Sequence, residues 1–480
     1  MQKVRNFTTA ALFVGLAAAY GYWAFTESSI TAASAAAAAV LTALFGFLCA
    51  QCLRGLFVAF SGEPELEMEA GLGRRSLRRA YRHPVVRLFL LLLLARIIIY
   101  IVAYAIYALQ KGYPGGLIDT LSLWNKGDAP HYMGIADNWY VTEGDARFHI
   151  VFFPLYPIVV RLFSELVQNT FAAGLMVSLL STAAAGVLLY ELALLDMDRA
   201  SAVRAVAFLM LMPAAFLFNA PMSDGLFLLL SIAVMLLTRK KQYWTACVVG
   251  ALASFTRVLG LMLLVPVAVE LIGDTVRQKK ETGKWAGFFL LRAPALLIIL
   301  LGFGAYLIIN KSVTGDAFTF LRYQSEHWSQ KIGWFFHTAS YQTNELITSL
   351  STWREAALGL WLPNLLFLFG APLIMIVALR EKHKQKDGET VQPNGNVELF
   401  SAGQPYAIRP SYVAYFVAYY FVSMGATWLL SAPRYLAACF PLALALNRLV
   451  KPRTAWMVYF LLGLLQVYYL CAYVAQWPVY

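Results

Sequence analysis

The feature that most restricts this chain is its series of long apolar runs, at about 8–26, 31–59, 86–109, 170–195, 201–219, 222–238, 243–271, 286–310, 356–379, 411–430, 434–449 and 454–475. A helix that crosses the hydrocarbon of a bilayer needs about 20 mostly apolar residues. Runs of that kind dominate the 480 residues, of which only 13% are charged, whereas soluble domains carry roughly a quarter. The expectation is an all-α polytopic membrane protein, with residues 1–480 forming one transmembrane domain. The first run follows a basic start, "MQKVRNF", but it is long and no small-residue cleavage site follows, so it reads as an uncleaved first span. No internal repeat is evident, which counts against transporter folds built from two similar halves.

The formal charge of +12 is carried in short clusters between apolar runs, and no nucleic-acid motif accompanies them. Topology accounts for them, because Lys and Arg collect in cytoplasmic loops. The clusters are "GRRSLRRAYRHP" (Gly73 to Pro84), "TRKKQ" (Thr238 to Gln242), "RQKKETGK" (Arg277 to Lys284), "REKHKQK" (Arg380 to Lys386) and "NRLVKPR" (Asn447 to Arg453). The stretch Arg74 to Arg82 is also placed to meet anionic lipid. Simple alternation of spans puts every cluster on one side except where a single span separates Thr238 from Lys284. That conflict vanishes if Tyr243 to Ile272 is a re-entrant hairpin of two half-helices turning near "TRVLG" (Thr256 to Gly260), since non-helical backbone at depth is tolerated when buried in protein. The prediction is eleven spans plus the hairpin. Segments 110–169, 220–223, 311–355 and 431–434 then lie outside, and 380–410 is a flexible cytoplasmic linker. The five cysteines fall in or beside apolar runs and read as core packing.

The polar residues of interest converge on the outer side. Asp128 and His131 lie one helical turn apart in "WNKGDAPHYMGIADNWY" (Trp124 to Tyr140). Asp224 opens an inward-going span, Arg257 sits at the hairpin turn, and Arg434 opens another span. Ionisable groups at membrane depth are costly unless paired or solvated, so they point to function. A carboxylate here suits removal of a proton from a hydroxyl, and Arg suits a phosphate that leaves. Each residue also has a structural reading. Asp128 and Asp224 fit helix-cap or first-turn positions, Arg257 could satisfy the carbonyls of a broken helix, and Arg434 could snorkel. Trp124, Tyr132, Trp139 and Tyr140 fit an aromatic belt, and His131 fits a hydrogen-bonding neighbour of Asp128. Asp128 and His131 alone do not make a metal site, so no metal ligand set and no definite cofactor is assigned; a divalent cation stays open.

Five stretches, in this order, resemble one family. "WNKGDAPHYMGIADNWY" followed by "FFPLYPIVVRLF" (Phe152 to Phe163), then "NAPMSDGLFLLLS", "ALASFTRVLGL", "TGDAFTFLRYQSEHW" (Thr314 to Trp328) and "SAPRYLAACFPL", are similar to the signature regions of the PIG-V family. That is the family of the second GPI mannosyltransferase and its bacterial relatives. The resemblance implies a GT-C class membrane glycosyltransferase that moves a sugar, mannose by implication, from a polyprenyl-phosphate donor to a glycolipid or envelope glycan acceptor. By the same resemblance Asp128 falls in the place of the general base. Gly127 stands where the family has Trp, Asp224 where Glu is expected, and Val258 where Pro follows the Thr-Arg pair.

The resulting expectation is an inverting transfer on the extracytoplasmic face of a bacterial plasma membrane. Asp128 is the base, Arg434 and then Arg257 bind the donor phosphate, and Asp224, His131, Tyr132, Trp124, Arg322 and Gln324 contact substrate. The 311–355 loop covers the site, and the donor's lipid tail lies between spans among membrane lipid. The rival readings are a non-enzymatic lipid or glycolipid flippase, which needs ionisable groups along a path through the membrane, and a GT-C transferase of different sugar specificity.

Overall fold

The computed structural model describes residues 2–61, 82–112, 116–380 and 408–479. Most of the basic cluster at 73–84 and nearly all of the 380–410 linker lie outside the described residues. Apart from one isolated bridge between Ile332 and Ala426, the regular structure of the described residues is helical. The principal helices are α1 (Gln2–Thr26), α2 (Ala32–Ala59), α3 (Arg82–Lys111), α4 (Ala129–Asn138), α5 (Leu155–Val167), α6 (Thr170–Ala193), α7 (Arg199–Leu211), α8 (Asp224–Arg239), α9 (Tyr243–Thr256), α10 (Leu264–Thr282), α11 (Leu296–Thr314), α12 (Thr319–Trp328), α13 (Phe335–Thr352), α14 (Leu362–Arg380), α15 (Pro410–Met424), α16 (Ala432–Ala437), α17 (Pro441–Leu449) and α18 (Ala455–Val474).

Eight helices among the described residues are long and apolar enough to cross a membrane, or ten if each of two bent pairs counts as one span. The protein is therefore an integral, polytopic, all-helical membrane protein. The count falls below the expected eleven because several apolar runs are not continuous helices. The 201–219 run bends by 78° between α7 and the turn Pro213–Asn219, where a proline removes a helix hydrogen bond. The 434–449 run is split into α16, of 6 residues, and α17, of 9. Helices α8, α9 and α15 have only 16, 14 and 15 residues, about 21–24 Å of rise at 1.5 Å per residue.

The chain does reverse at Arg257. Helix α9 ends at Thr256, Arg257 is extended (φ −158°, ψ 148°), and a 3-10 turn at Val258–Leu263 leads into α10. Gly260 makes the reversal possible: a Cβ there would lie 2.3 Å from the Ala253 carbonyl carbon. The returning limb is not the half-helix expected, however, because Val258–Thr282 is a 25-residue apolar segment in its own right. Both limbs begin and end at one end of the bundle. Tyr243 Oη donates to Asp274 Oδ2 at 2.7 Å, and Lys241 Nζ lies 4.0 Å from Asp274 Oδ1. Placing the "TRKKQ" and "RQKKETGK" clusters on one side therefore agrees with the geometry.

This basic end is clasped by buried ion pairs that the apolar runs concealed. Arg239 forks onto Asp196 at 2.7 and 2.8 Å, Arg409 forks onto Glu270 at 2.6 and 2.9 Å, and Ser411 Oγ donates to Glu270 at 2.5 Å. They tie the ends of α6, α8 and α15 to one another and to the body of α10, so the short helices rise from a fixed base toward the opposite end.

The bend after α7 frees carbonyls that lipid cannot satisfy. Gln466 of α18 donates to the Met210 and Met212 carbonyls at 3.1 Å each. From α3, Arg96 Nη2 donates to the Ala215 carbonyl at 2.5 Å and Tyr100 Oη to the Asn219 carbonyl at 2.7 Å. Arg96 Nε and Nη1 find no acceptor among the described residues. Loss of Gln466 strips the Met210 carbonyl of its side-chain donor, at about 1–3 kcal/mol, whereas loss of Arg96 strips the Ala215 carbonyl but also removes two buried donors that have no acceptor among the described residues, which offsets part of the cost. Gln466→Leu is therefore expected to lower thermal stability more than Arg96→Met, by a margin of about 1 kcal/mol, measured as melting shifts of the detergent-solubilised protein.

Candidate active site

At the end opposite the basic one, four ionisable side chains from distant parts of the sequence form one connected chain. Asp128 occupies the position just before α4, a place that favours a capping carboxylate, yet it makes no capping hydrogen bond. Its Oδ2 instead accepts from Arg434 Nη2 at 2.5 Å. Arg434 belongs to the short helix α16, and its Nε donates to Asp224 Oδ2 at 2.9 Å. Asp224 is the first residue of α8, where the helix dipole favours a carboxylate. Its other oxygen, Oδ1, accepts from Arg257 Nη1 at 2.6 Å. Arg257 can reach it because the backbone reversal leaves this residue between α9 and α10, and its guanidinium lies 5.4 Å from the Tyr435 ring centre.

The order of the chain is Asp128, Arg434, Asp224, Arg257, with two negative and two positive groups. Burial grades along it. The Asp224 side chain is 0% exposed, Arg434 4% and Arg257 10%, while Asp128 keeps 30%. Asp224, Arg434 and Arg257 are thus an internal ion network, and Asp128 is its open edge. Burial pushes the Asp128 carboxyl up, but the charge and hydrogen bond of Arg434, with the charges of Arg257 and His131, outweigh it and hold the group below its ordinary value.

Tyr132, one turn beyond Asp128, is buried and shares a 2.7 Å hydrogen bond with Ser223 Oγ, fixing α4 against the residue that precedes Asp224. His131 stacks on Phe152 with ring centres 4.9 Å apart and meets His149 and Trp328 edge-on. It is an electrostatic neighbour of Asp128 with no hydrogen bond to it, contrary to the sequence expectation. Burial lowers its basicity, the Asp128 charge opposes this, and the His327 charge adds to it. Helix α12 lies over this aromatic layer: His327 stacks on Phe148 at 4.3 Å and Trp328 meets Phe152 at 5.6 Å.

The remaining expected contacts do not join the quartet. Trp124 is 1% exposed and packed among Tyr100, Phe216 and Tyr473, so its face is closed to a sugar; the Trp124 assignment is corrected to core. Arg322 is exposed on α12, 3.9 Å from Glu326. Gln324 Nε2 donates to Gln330 Oε1 at 2.5 Å. Both belong to the covering helix, and neither bonds to the four ionisable groups. Among the described residues no group of three His, Cys, Asp or Glu is arranged to hold a metal. The two acids of the site are already taken up by guanidinium groups, so the donor set does not fit a divalent cation and no step is routed through one.

Lys126 is the cation that sequence reasoning passed over, although it stands two residues before Asp128. Its ammonium donates to the Tyr473 carbonyl at 3.0 Å and lies 4.6 Å from that ring's centre. No carboxylate among the described residues pairs with it. Burial lowers it to about 8.

Comparison of the chain with protein-family models, curated proteins and solved structures returned no match in any of the three.

Arg434 is the hinge of the electrostatics. Breaking a buried pair by removing one partner costs about 3–5 kcal/mol, so Arg434→Gln is expected to destabilise the protein on that scale. A carboxylate held below its unfolded value, about 3.9, contributes stability above that pH, and the contribution is lost as pH falls through the folded value. Arg434→Gln therefore also removes the acid-side loss of stability carried by Asp128. Melting temperatures of the variant and the wild type between about pH 6 and 3 check both effects, over the window around that unfolded value.

Proposed function

We propose that the protein is a membrane glycosyltransferase of GT-C type, similar to the PIG-V family, that transfers a sugar, mannose in the first instance, from a polyprenyl phosphate to a lipid-linked or envelope glycan hydroxyl with inversion. The observation that carries this reading is the meeting of Asp128, Arg434, Asp224 and Arg257 at one end of the helical bundle. A half-open carboxylate sits beside guanidinium groups there, and this is the pairing that the chemistry needs.

In this reaction Asp128 accepts the proton of the acceptor hydroxyl as its oxygen attacks the anomeric carbon. The new C–O bond forms on one face while the bond from that carbon to the phosphate oxygen breaks on the other. The electron pair of the broken bond stays on the phosphate, which changes from a singly charged diester to a more highly charged monoester. Arg434 meets that developing charge, so its attraction is greater in the transition state than in the bound donor. Arg257 does not face the phosphate in this scheme. It neutralises Asp224, which in turn holds Arg434 by Nε and fixes its orientation. Tyr132 and Ser223 keep α4 in register with α8, and α12 with its His327 and Trp328 covers the aromatic layer from which the acceptor sugar is approached.

On the positive-inside argument the basic end is cytoplasmic, which puts the four ionisable groups and α12 on the extracytoplasmic side of a plasma membrane.

Asp128→Asn is expected to keep its fold and lose sugar transfer by at least about a hundredfold, the scale of a general base. The assay is release of labelled sugar from polyprenyl-phosphate mannose into a lipid acceptor by purified protein in proteoliposomes. Transfer near the wild-type rate in Asp128→Asn would remove the assignment.

A further inference from the structure

The resting site presents a difficulty for the reaction proposed above, and its geometry suggests how the difficulty is resolved. The base and the phosphate ligand are bonded to one another: Asp128 Oδ2 accepts from Arg434 Nη2 at 2.5 Å. A carboxylate in that pairing is a poor proton acceptor, because the guanidinium stabilises its ionised form. The guanidinium, for its part, has Nε committed to Asp224 and one Nη committed to Asp128.

We propose that the phosphate of an incoming donor takes the edge of Arg434 now held by Asp128, so that donor binding releases the Asp128 carboxylate toward the acceptor. This inference rests on the transferase reading and adds an order of events to it: donor first, base second, acceptor last.

Three observations carry it. The first is the inequality of the two carboxylates on Arg434. Asp224 is completely enclosed and holds two guanidinium groups, at 2.6 and 2.9 Å, so it has no low-energy alternative. Asp128 is 30% exposed and has a single hydrogen-bond partner for its carboxylate among the described residues. Of the two it is the one that can leave, because water can receive it. The second is the backbone beside it. Gly127 immediately before Asp128 has φ +58°, a left-handed conformation that glycine enters and leaves at little cost, and a Cβ there would meet only the Met222 methyl at 3.4 Å. The peptide that precedes Asp128 can therefore adjust while the Asp128 side chain rotates away, and α4 stays in place because the Asp128 carbonyl accepts from Tyr132 N–H at 3.1 Å and Tyr132 Oη is tied to Ser223. The third is the match of charge and shape. Arg434 Nη1 has no protein acceptor among the described residues, so a phosphate that displaces Asp128 gains the Nη1 and Nη2 donors together, the parallel two-point contact that guanidinium makes with phosphate.

The exchange keeps a negative group on Arg434 and leaves the freed carboxylate next to the phosphate. Like charges so placed disfavour the ionised carboxylate, which makes Asp128 a stronger base at the moment the donor is in place. In the absence of donor the acid is held by Arg434, and an acceptor hydroxyl, or water, meets no free base.

The test uses the full-length protein in nanodiscs and measures equilibrium binding of a polyprenyl phosphate without sugar, with the uncharged polyprenol as control. If Asp128 competes for Arg434, Asp128→Asn and Asp128→Ala bind the phosphate more tightly than wild type, on the order of tenfold. Polyprenol binding should be unchanged in both. Asp137→Asn, which alters an acid of the same segment bonded to Thr170, should leave phosphate affinity as it was. The same affinity, or a weaker one, in both folded Asp128 variants overturns the displacement while leaving the donor reading intact. Phosphate binding that does not depend on Arg434, tested with Arg434→Gln, overturns both. A structure of the polyprenyl-phosphate complex by electron microscopy reads the pair directly: separation of Asp128 Oδ2 from Arg434 Nη2 beyond hydrogen-bond distance is expected, and a retained pair overturns the proposal.

Discussion

The guanidinium of Arg434, held between Asp224 and Asp128, is the interaction on which the rest of this molecule depends. A buried carboxylate such as Asp224 is tolerable only with charge partners, and its two partners come from the α9–α10 reversal and from α16. Each of these elements is irregular by the standard of a membrane span. The chain breaks its helices at Pro213, Arg257 and the short α16 segment, and these breaks bring Arg257, Asp224 and Arg434 to one level. A bundle of straight spans would carry the same residues on separate helices with no reason to meet.

Irregular backbone at membrane depth must be satisfied by side chains, and the structure does this with residues from neighbouring helices. Gln466, Arg96 and Tyr100 satisfy carbonyls of the bent segment that runs into α8. At the opposite end the Arg239–Asp196 and Arg409–Glu270 forks fix the feet of the helices that carry the site. The site is thus preorganised from two directions. Asp128 is the least enclosed of the four, at 30% exposed, and it is the group given the proton transfer in the proposed reaction.

Hydropathy made the spanning helices legible because bilayer thickness imposes a length, and α1, α2, α3, α6, α14 and α18 follow it. It failed where an apolar run was long enough to span yet broken. Pro213 and Pro441 signalled two of those breaks in the sequence, but a window that averages hydropathy cannot see them. Asp128, Asp224, Arg257 and Arg434 stood out because each is an ionisable group beside apolar sequence, and the structure brings them together. Trp124 was misjudged because an interfacial Trp and a core Trp look alike in sequence; only the packing of Tyr100, Phe216 and Tyr473 around it distinguishes them. Arg96 lay hidden inside "LLLLARIIIY", where its service to a distant bend could not be read, and the Glu270 and Asp196 pairings were hidden for the same reason. Lys126 carried a signal in its place beside Asp128, but not its contact with Tyr473, more than three hundred positions along the chain.

In the proposed reaction the four ionisable groups perform a group transfer and do more than lock the helices together. The most direct measurement is the anomeric configuration of the product. Purified protein, incubated with polyprenyl-phosphate mannose labelled at the anomeric carbon and a lipid extract, is predicted to yield a hexosylated acceptor whose new glycosidic bond has the configuration opposite to that of the donor, read by NMR. Label that remains on the donor, or that crosses the bilayer still attached to its prenyl phosphate, would contradict the claim and leave the quartet as a structural clasp.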